Sequence, residues 1–230
     1  MTPESRINFI KDWLVKYIKN MPKPATSLVV GVSGGIDSAV VSTICSMTGL
    51  KTFALSMPIK QIKEQDDLSK KHCKWLLTNF KNVEMLNINL DEVFTNFEKA
   101  LTKNNSEHAF ANSRARIRMT TLYQVAGSNN GIVVGTGNKV EDFGVGFYTK
   151  YGDGGVDVSP IADCTKTEVW EMGKELKIDK KIISAKPTDG LWVDGRNDES
   201  QLGMSYKELE EAMVNPNSKN YKKYLKIRET

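Results

Sequence analysis

The chain has 230 residues, a hydrophobic content of 40%, a charged content of 26% and a formal net charge of +4. These values are typical of an ordinary globular protein with a generous core, and they favour one domain over residues 1–230. The mild positive charge could attract a small polyanion. The chain lacks the basic stripe with interleaved aromatic residues that nucleic-acid readers show, so we expect no nucleic-acid partner.

The cysteines and the hydropathy indicate the compartment. Cys45, Cys73 and Cys164 lie far apart, which argues against a disulfide framework and against a zinc ribbon. We expect Cys45 to be a small core residue, because it lies in an apolar helix. No apolar run reaches the length of a membrane span, so we expect a cytoplasmic protein without membrane contact. We expect His72 to face solvent, because its predicted helix is strongly charged.

The hydrophobic pattern predicts alternating helices and strands. An amphipathic helix begins at a Thr2 cap and ends near Met21-Pro22. Helical patterns then alternate with short apolar runs, which predict strands at 28–30, 52–57, 83–88 and 131–135. The alternation predicts an α/β fold with a doubly wound parallel sheet in three α/β/α layers. Ligands of such sheets bind at the carboxyl ends of the strands, so the residues that follow each strand matter most.

The residues from Gly31 to Ser38 read Gly-Val-Ser-Gly-Gly-Ile-Asp-Ser and join the first strand to a helix. Paired glycines let the backbone approach a ligand closely, and the N–H groups and dipole of a helix start favour an anion. Asp37 would repel a phosphate there unless a divalent cation lay between them. The alternative is an ordinary strand-to-helix turn in which Ser33 or Asp37 caps the helix.

Further candidates follow the second and fourth strands. Met57 is either a wall for an adenine ring or a plug in the core. Thr136 could reach a phosphate or ribose oxygen. Glu141 could complete a magnesium shell with Asp37, since Mg²⁺ takes one or two carboxylates and adds phosphates and waters. The alternative for Glu141 is an acid at a helix start, where the dipole favours it.

Three arginines stand at alternate positions of the segment 112–119. Arg114 and Arg118 would share one face of a helix, and Arg116 would point elsewhere. The pattern by itself favours a solvated basic surface. The glycine-rich stretch 144–157, which carries aromatic and charged residues, indicates a functional loop.

Lys166 stands at the start of a helix that Thr165 caps, where the helix dipole disfavours a cation. Either an anionic ligand lies nearby or the lysine is solvated. Residues 185–199 show no clear period and predict a mobile loop or lid. Ser205 caps the next predicted helix, and the basic tail 220–226 predicts a solvated one.

Several signatures occur in one order along the chain. The octet 31–38 resembles the loop with which N-type ATP pyrophosphatases grip the pyrophosphate of ATP. Together with Arg-Ala-Arg-Ile-Arg-Met at 114–119, Gly135-Thr136 with Glu141, and Lys-Pro-Thr at 186–188, the chain resembles bacterial ammonia-dependent NAD synthetase. The stretch Phe-Tyr-Thr-Lys-Tyr-Gly-Asp-Gly-Gly-Val-Asp at 147–157 decides the assignment, because it is much more specific than the octet.

This resemblance implies an adenine-nucleotide α-hydrolase-like fold and a reaction. The family converts deamido-NAD, ATP and ammonia into NAD, AMP and pyrophosphate through an acyl-adenylate. The resemblance implies that Asp37 and Glu141 hold Mg²⁺ and that Lys166 is catalytic as well as an ATP contact. The implied ATP contacts, with Met57 from the strand-end reasoning above, are Gly31, Val32, Ser33, Gly34, Gly35, Ile36, Asp37, Ser38, Met57, Thr136, Lys166 and Thr188.

The resemblance also implies a homodimer whose interface holds the dinucleotide. Arg116, Lys150 and Asp157 match positions that contact deamido-NAD, and Asp153 matches an acid that handles ammonia. The family often has a His-Lys pair near its C-terminus, which the segment 226–230 lacks, so either the chain is shortened or another group closes that side of the dinucleotide site. The length of the chain favours free ammonia over a fused glutaminase.

Two other functions fit the octet. Another ATP pyrophosphatase, such as a GMP synthetase core or a tRNA-thiolating enzyme, would share it. A non-catalytic adenine-nucleotide sensor could also have kept the fold, although the acids and lysines at 37, 141, 150 and 166 argue against a sensor.

Overall fold

The structure is a computed structural model that describes residues 1–188, 190–191 and 197–229. Its centre is a four-stranded, fully parallel sheet with the order β3-β2-β1-β4. The strands are β1 Ser27–Gly31, β2 Lys51–Ser56, β3 Val83–Asn87 and β4 Gly131–Val133. The chain moves outward from β1 to β3 and then returns to the other side of β1. The carboxyl end of β1 is therefore a topological switch point, where open α/β sheets bind ligands.

Helices cover both faces of this sheet. Along β1, Leu28 and Val30 face one apolar cluster and Val29 faces another, as the alternation of side chains on a strand requires. The predicted doubly wound sheet is therefore confirmed. The helices are α1 Pro3–Lys19, α2 Ile36–Met47, α3 Lys63–Asn79, α4 Asp91–Ala100, α5 Glu107–Ser128, a π-helix Lys139–Val145, α6 Lys166–Glu175, α7 Lys180–Ser184, α8 Asp198–Leu202, α9 Tyr206–Val214 and α10 Tyr221–Arg228.

The local helix signals are also confirmed. Thr2 caps α1, and Thr165 and Ser205 each form a capping box with the glutamate three residues later. Cys45 is buried in the core, and all three cysteines are free thiols. In the described part of the chain, no helix combines the length and apolarity that crossing a bilayer requires.

The C-terminal helices pack on the π-helix and build a third apolar cluster beside the sheet. Tyr206, Leu209 and Tyr224 are buried in this cluster, which also contains Val140 of the π-helix. The basic residues of α10 are exposed, as the sequence predicted, whereas Tyr224 on the opposite side of the helix is buried in this cluster. The expected mobility of 185–199 stays a prediction, since positions 189 and 192–196 lie outside the described residues.

His72 does not face solvent, as its charged helix suggested, but is buried with only 2% of its surface exposed. The buried positions Ser69, His72, Cys73 and Leu76 lie on one stripe of α3 at helical spacing. The His72 Nε2 atom lies 3.1 Å from Ser42 Oγ on α2, and its ring stacks on Trp75. Burial lowers the pKa of His72 to about 4, because the charged imidazole would lose its hydration.

This burial predicts a pH dependence of stability. Between pH 6.5 and about 4 the unfolded chain protonates His72 while the folded chain keeps it neutral. The free energy of unfolding should therefore fall as the pH decreases through this window, by roughly 1.4 kcal/mol for each pH unit. Urea unfolding at a series of pH values should show a smaller slope for His72→Gln than for the unsubstituted protein. Parallel slopes for the two proteins would contradict the assignment.

Candidate active site

The glycine octet leaves β1 at the switch point of the sheet and enters α2 directly. Gly34 has φ +92°, a conformation that residues with a side chain rarely adopt. A Cβ atom there would also lie 2.6 Å from the carbonyl oxygen of Gln65 on α3. Gly35 is the N-cap of α2 and makes no side-chain cap hydrogen bond. The start of α2 thus has the open geometry that suits an anion.

Two serine hydroxyls hold the turn together. Ser38 Oγ accepts from the Ser33 backbone N–H over 3.1 Å and donates to the Gly35 carbonyl over 2.9 Å. The Gly35 N–H donates to Ser33 Oγ over 3.2 Å. The alternative in which Ser33 or Asp37 caps the helix is wrong, because the cap position belongs to Gly35.

Lys166 lies between two carboxylates that the sequence predicted as metal ligands. Its Nζ atom lies 2.6 Å from Asp37 Oδ2 and 2.9 Å from Glu141 Oε1. The Lys166 side chain is only 2% exposed. The alternative of a solvated lysine is therefore wrong. The anions that offset the unfavourable helix dipole are carboxylates of the chain itself. We call Asp37, Glu141 and Lys166 the charged cluster.

A neutral donor supports each carboxylate of the charged cluster. Asn138 Nδ2 donates to Asp37 Oδ1 over 3.1 Å, and the Tyr206 hydroxyl donates to Glu141 Oε1 over 2.6 Å. Asn138 is fully buried at the start of the π-helix, where its Oδ1 also accepts from the backbone of Val140 and Glu141. Sequence reasoning missed both residues. The cap position of Asn138 after a strand end was a usable signal, whereas Tyr206 gave none.

Burial and charge act against each other in the charged cluster. Burial alone would lower the pKa of Lys166, but Asp37 and Glu141 raise it above its usual value, so the ammonium stays charged. Burial works to raise the pKa of Glu141, but Lys166 and the Tyr206 hydroxyl outweigh it and hold that pKa below its usual range. Burial and the neighbouring Glu141 carboxylate raise the pKa of Asp37, and the attraction of Lys166 does not outweigh them.

Two further acids lie near the charged cluster. Burial, with Glu141, Asp153 and Asp37 nearby, raises the pKa of Asp142 to about 7. Gly137 permits the position of Asp142, because a Cβ atom on Gly137 would overlap its carboxylate. Asp153 is exposed, and its Oδ1 accepts from the Thr149 N–H over 3.0 Å. The predicted ammonia-handling acid, Asp153, therefore lies within electrostatic range of Asp142.

The arginines of α5 do not form one solvated surface. Arg114 is buried, donates to the Leu191 carbonyl and places its guanidinium over the Phe94 ring. Arg118 donates to the Met57 carbonyl over 3.0 Å and to a Gln61 side-chain oxygen. The solvated interpretation is therefore wrong for these two arginines, because neighbouring elements cover them.

Arg116 is exposed on α5 and meets the glycine-rich loop at Lys150. Its Nε donates to the Lys150 carbonyl over 3.0 Å. Asp157 accepts from the Tyr123 hydroxyl over 3.1 Å and from the Val133 N–H over 2.7 Å, so it also ties the loop to β4. The structure thus brings the three predicted dinucleotide contacts, at 116, 150 and 157, to the side of the molecule where this loop crosses α5.

A groove with a volume of about 470 Å³ lies beside these contacts. Tyr151 is 71% exposed and has φ +65°, a backbone conformation that bulky residues rarely adopt. Lys150 places its ammonium over the Tyr151 ring. The groove is lined by Met119, Thr120, Tyr123, Gln124, Tyr151 and Gly155.

The remaining predicted ATP contacts differ in how deeply their side chains are buried. Met57 is 8% exposed within the apolar cluster of α4 and α5, as expected of a core plug. Val32 and Ile36 are also buried, so only their backbone groups can serve a ligand. Thr136 is half-buried after β4. Thr188 is half-buried too, and its hydroxyl accepts from the Gly190 N–H.

A family model described as NAD synthase matches residues 6–228. The chain belongs to the NAD synthase family. The ammonia-dependent NAD synthetase of Carboxydothermus hydrogenoformans is 37% identical over 217 residues, which cover 92% of this chain and 85% of that protein. That of Mesoplasma florum is 39% identical over 205 residues, covering 86% and 81% of the two chains.

Two solved structures share the fold of this chain. The NMN synthetase of Francisella tularensis superposes with a TM-score of 0.90 at 31% identity and covers all of this chain and 94% of its own. The ammonia-dependent NAD synthetase of Campylobacter jejuni gives 0.77 at 28% identity, with 100% and 93% of the chains covered. The predicted adenine-nucleotide α-hydrolase-like fold is thereby confirmed.

The donor set of this NAD synthase family member fits a cation that is shared with a nucleotide. One oxygen of Asp37 and one of Glu141 point to the same position, which the Lys166 ammonium occupies. Two carboxylates suit Mg²⁺ when phosphates and waters supply its other ligands. Among the described residues, no group of three or more His, Cys, Asp or Glu side chains could hold a metal by itself.

Proposed function

We propose that this chain catalyses the ATP-dependent amidation of deamido-NAD with ammonia, a ligation that forms a C–N bond and releases AMP and pyrophosphate. The observation that carries the proposal is the charged cluster beside the glycine octet, in a chain of the NAD synthase family. The octet supplies an anion site and the cluster supplies both signs of charge next to it. A simple nucleotide sensor would not need this arrangement.

The octet grips the phosphates of ATP in this proposal. The backbone N–H groups at the start of α2 and the hydroxyls of Ser33 and Ser38 supply the donors. Lys166 turns from the carboxylates toward the phosphates when ATP binds, since its ammonium pairs equally well with a phosphate oxygen. Asp37 and Glu141 would hold Mg²⁺, which supplies neutralising charge to the triphosphate when bound.

The chemistry then needs positioning and charge rather than a covalent enzyme intermediate. A nicotinate carboxylate oxygen attacks the α-phosphorus of ATP, the bond to the bridging oxygen breaks, and pyrophosphate leaves along the octet. Lys166 lowers the repulsion between the two anions. Asp153 binds the incoming ammonium and accepts a proton from it. The resulting ammonia attacks the acyl carbon, AMP leaves, and the nitrogen loses a second proton to solvent as the amide forms.

Asp37→Asn tests the charged cluster directly. The change keeps the size of the side chain but removes one of the two carboxylates, so NAD formation should fall roughly 100-fold or more. The measurement is a mass-resolved assay for NAD made from deamido-NAD, ATP and ammonium. Asp163→Asn is the control, because Asp163 is an exposed carboxylate outside the cluster. Near-normal NAD formation by Asp37→Asn would refute the assignment of Asp37 as a metal ligand. Equal turnover of XMP and deamido-NAD by the unsubstituted protein would refute deamido-NAD as the specific acceptor.

Nicotinate mononucleotide is a second candidate acceptor. The structure with the TM-score of 0.90 is an NMN synthetase, whereas the ammonia-dependent NAD synthetase of Campylobacter jejuni gives 0.77. The reacting carboxylate and the ATP chemistry would be the same for both acceptors. Deamido-NAD carries a second nucleotide half, which needs a binding surface, whereas nicotinate mononucleotide does not. Arg116, Lys150 and the groove near Tyr123 and Tyr151 offer one.

Arg116→Ala separates the two acceptors. If deamido-NAD lies against Arg116, the KM for deamido-NAD should rise roughly tenfold, because one charge-assisted contact is lost, while the KM for nicotinate mononucleotide stays unchanged. Arg228→Ala, on α10, is the matched control. A higher kcat/KM for the mononucleotide in the unsubstituted protein would assign it as the natural acceptor instead.

We also propose a cytoplasmic homodimer with the dinucleotide site at its interface, as the family resemblance implies. Three free cysteines suit a reducing compartment. The exposed rings of Tyr123 and Tyr151 beside the groove suit a surface that a second subunit covers. Sedimentation equilibrium should give twice the chain mass, and a purely monomeric protein at micromolar concentration would contradict the dimer.

A further inference from the structure

Tyr206 lies next to the charged cluster, although it comes from a helix at the far end of the chain. Its side chain is 1% exposed, and its ring makes an edge contact with Trp170, with ring centroids 5.8 Å apart. The Lys166 ammonium lies 4.9 Å from the centre of the same ring. The position of the ring is therefore fixed by apolar neighbours, and its hydroxyl is aimed at Glu141 by that packing.

The Tyr206 hydroxyl is a neutral donor to Glu141, as Asn138 is to Asp37. Glu141 Oε1 accepts from both Lys166 and the Tyr206 hydroxyl, whereas Asp37 accepts from Lys166 at Oδ2 and from Asn138 at Oδ1. A neutral donor does not compete with a metal ion for negative charge, and it stays in place when the ammonium moves. A metal-binding carboxylate that is oriented by such a donor is a common arrangement, and the donor affects metal affinity strongly.

We propose that Tyr206 is a positioning residue, whose hydroxyl holds Glu141 in the orientation that binds the metal once Lys166 has turned toward the phosphates. The proposal rests on the proposed function, because it takes Asp37 and Glu141 as the ligands of a nucleotide-bound Mg²⁺. It adds a role for α9, which contributes no predicted substrate contact.

Asp198 is a second carboxylate within hydrogen-bond distance of the Tyr206 hydroxyl. The Tyr206 oxygen lies 3.2 Å from Asp198 Oδ2, and Asp198 is 4% exposed at the first residue of α8. The hydroxyl has one proton, and the shorter contact, 2.6 Å, is the one to Glu141. The backbone N–H of Asp198 donates to the Pro187 carbonyl, one residue before Thr188.

Tyr206→Phe tests the proposal, because it removes the hydroxyl and keeps the ring that packs on Trp170 and Lys166. The affinity for Mn²⁺ in the presence of ATP, measured by electron paramagnetic resonance, should fall about tenfold or more. ATP binding in EDTA, measured by calorimetry, should change less than twofold. In steady-state assays the KM for Mg²⁺ should rise while kcat at saturating Mg²⁺ is largely kept. Tyr221→Phe, in α10, is the matched control and should leave all four quantities unchanged.

A double-mutant cycle with Glu141→Gln decides whether Tyr206 acts through Glu141. If it does, Tyr206→Phe should cause no further loss of Mn²⁺ affinity in the Glu141→Gln background. An equal loss in both backgrounds would overturn the proposal. So would unchanged metal affinity, or a loss of metal-free ATP binding as large as the loss with metal, since both would indicate a purely structural tyrosine.

The outcomes also separate this proposal from the proposed function. If the unsubstituted protein makes NAD but Tyr206→Phe leaves the Mn²⁺ affinity intact, the positioning role fails and the function stands. If no amide forms with any nicotinate acceptor, but Tyr206→Phe lowers Mn²⁺ affinity only when Glu141 is present, the function fails and the positioning role stands.

Discussion

One buried ammonium group determines how this site is built. Lys166 is 2% exposed, and a cation at that depth is stable only beside anions, here Asp37 and Glu141. Asp37 comes from the first turn of α2, Glu141 from the π-helix after β4, and Lys166 from the start of α6. The ion pairs therefore tie three distant segments together at the switch point of the sheet, where the glycine octet also lies.

The same cluster explains how the site can accept a highly charged nucleotide. Two carboxylates beside an anion-binding turn would repel a triphosphate, so the ligand-free protein neutralises them with its own lysine. A lysine is a mobile point charge on a long stem, and it can exchange carboxylate partners for phosphate oxygens. We propose that Asn138 and Tyr206, which carry no charge, stay bonded to the carboxylates during that exchange. In that proposal the acids keep their places for a metal.

The predicted contacts to the acceptor lie in a different part of the molecule. The glycine-rich loop crosses α5, where Arg116 and Tyr123 meet Lys150 and Asp157. The neighbouring arginine Arg114 is buried and structural, although the sequence places it in the same basic motif. In the proposed function, the ATP chemistry and the acceptor therefore belong to separate surfaces. Solved structures described as NAD and NMN synthetases share the fold of this chain.

The sequence by itself determined the strands, the glycine turn, the capping boxes and the family, because each depends on neighbours within a few residues. It also named the members of the charged cluster, but not their pairing with one another. Only the tertiary structure buried His72 and Arg114 and brought Tyr206 to Glu141. Helical spacing shows which residues share a face, whereas burial of a polar side chain depends on which distant segment covers that face. The pairing of Lys166 with Asp37 also depends on the tertiary structure, because the two residues are more than one hundred positions apart in the sequence.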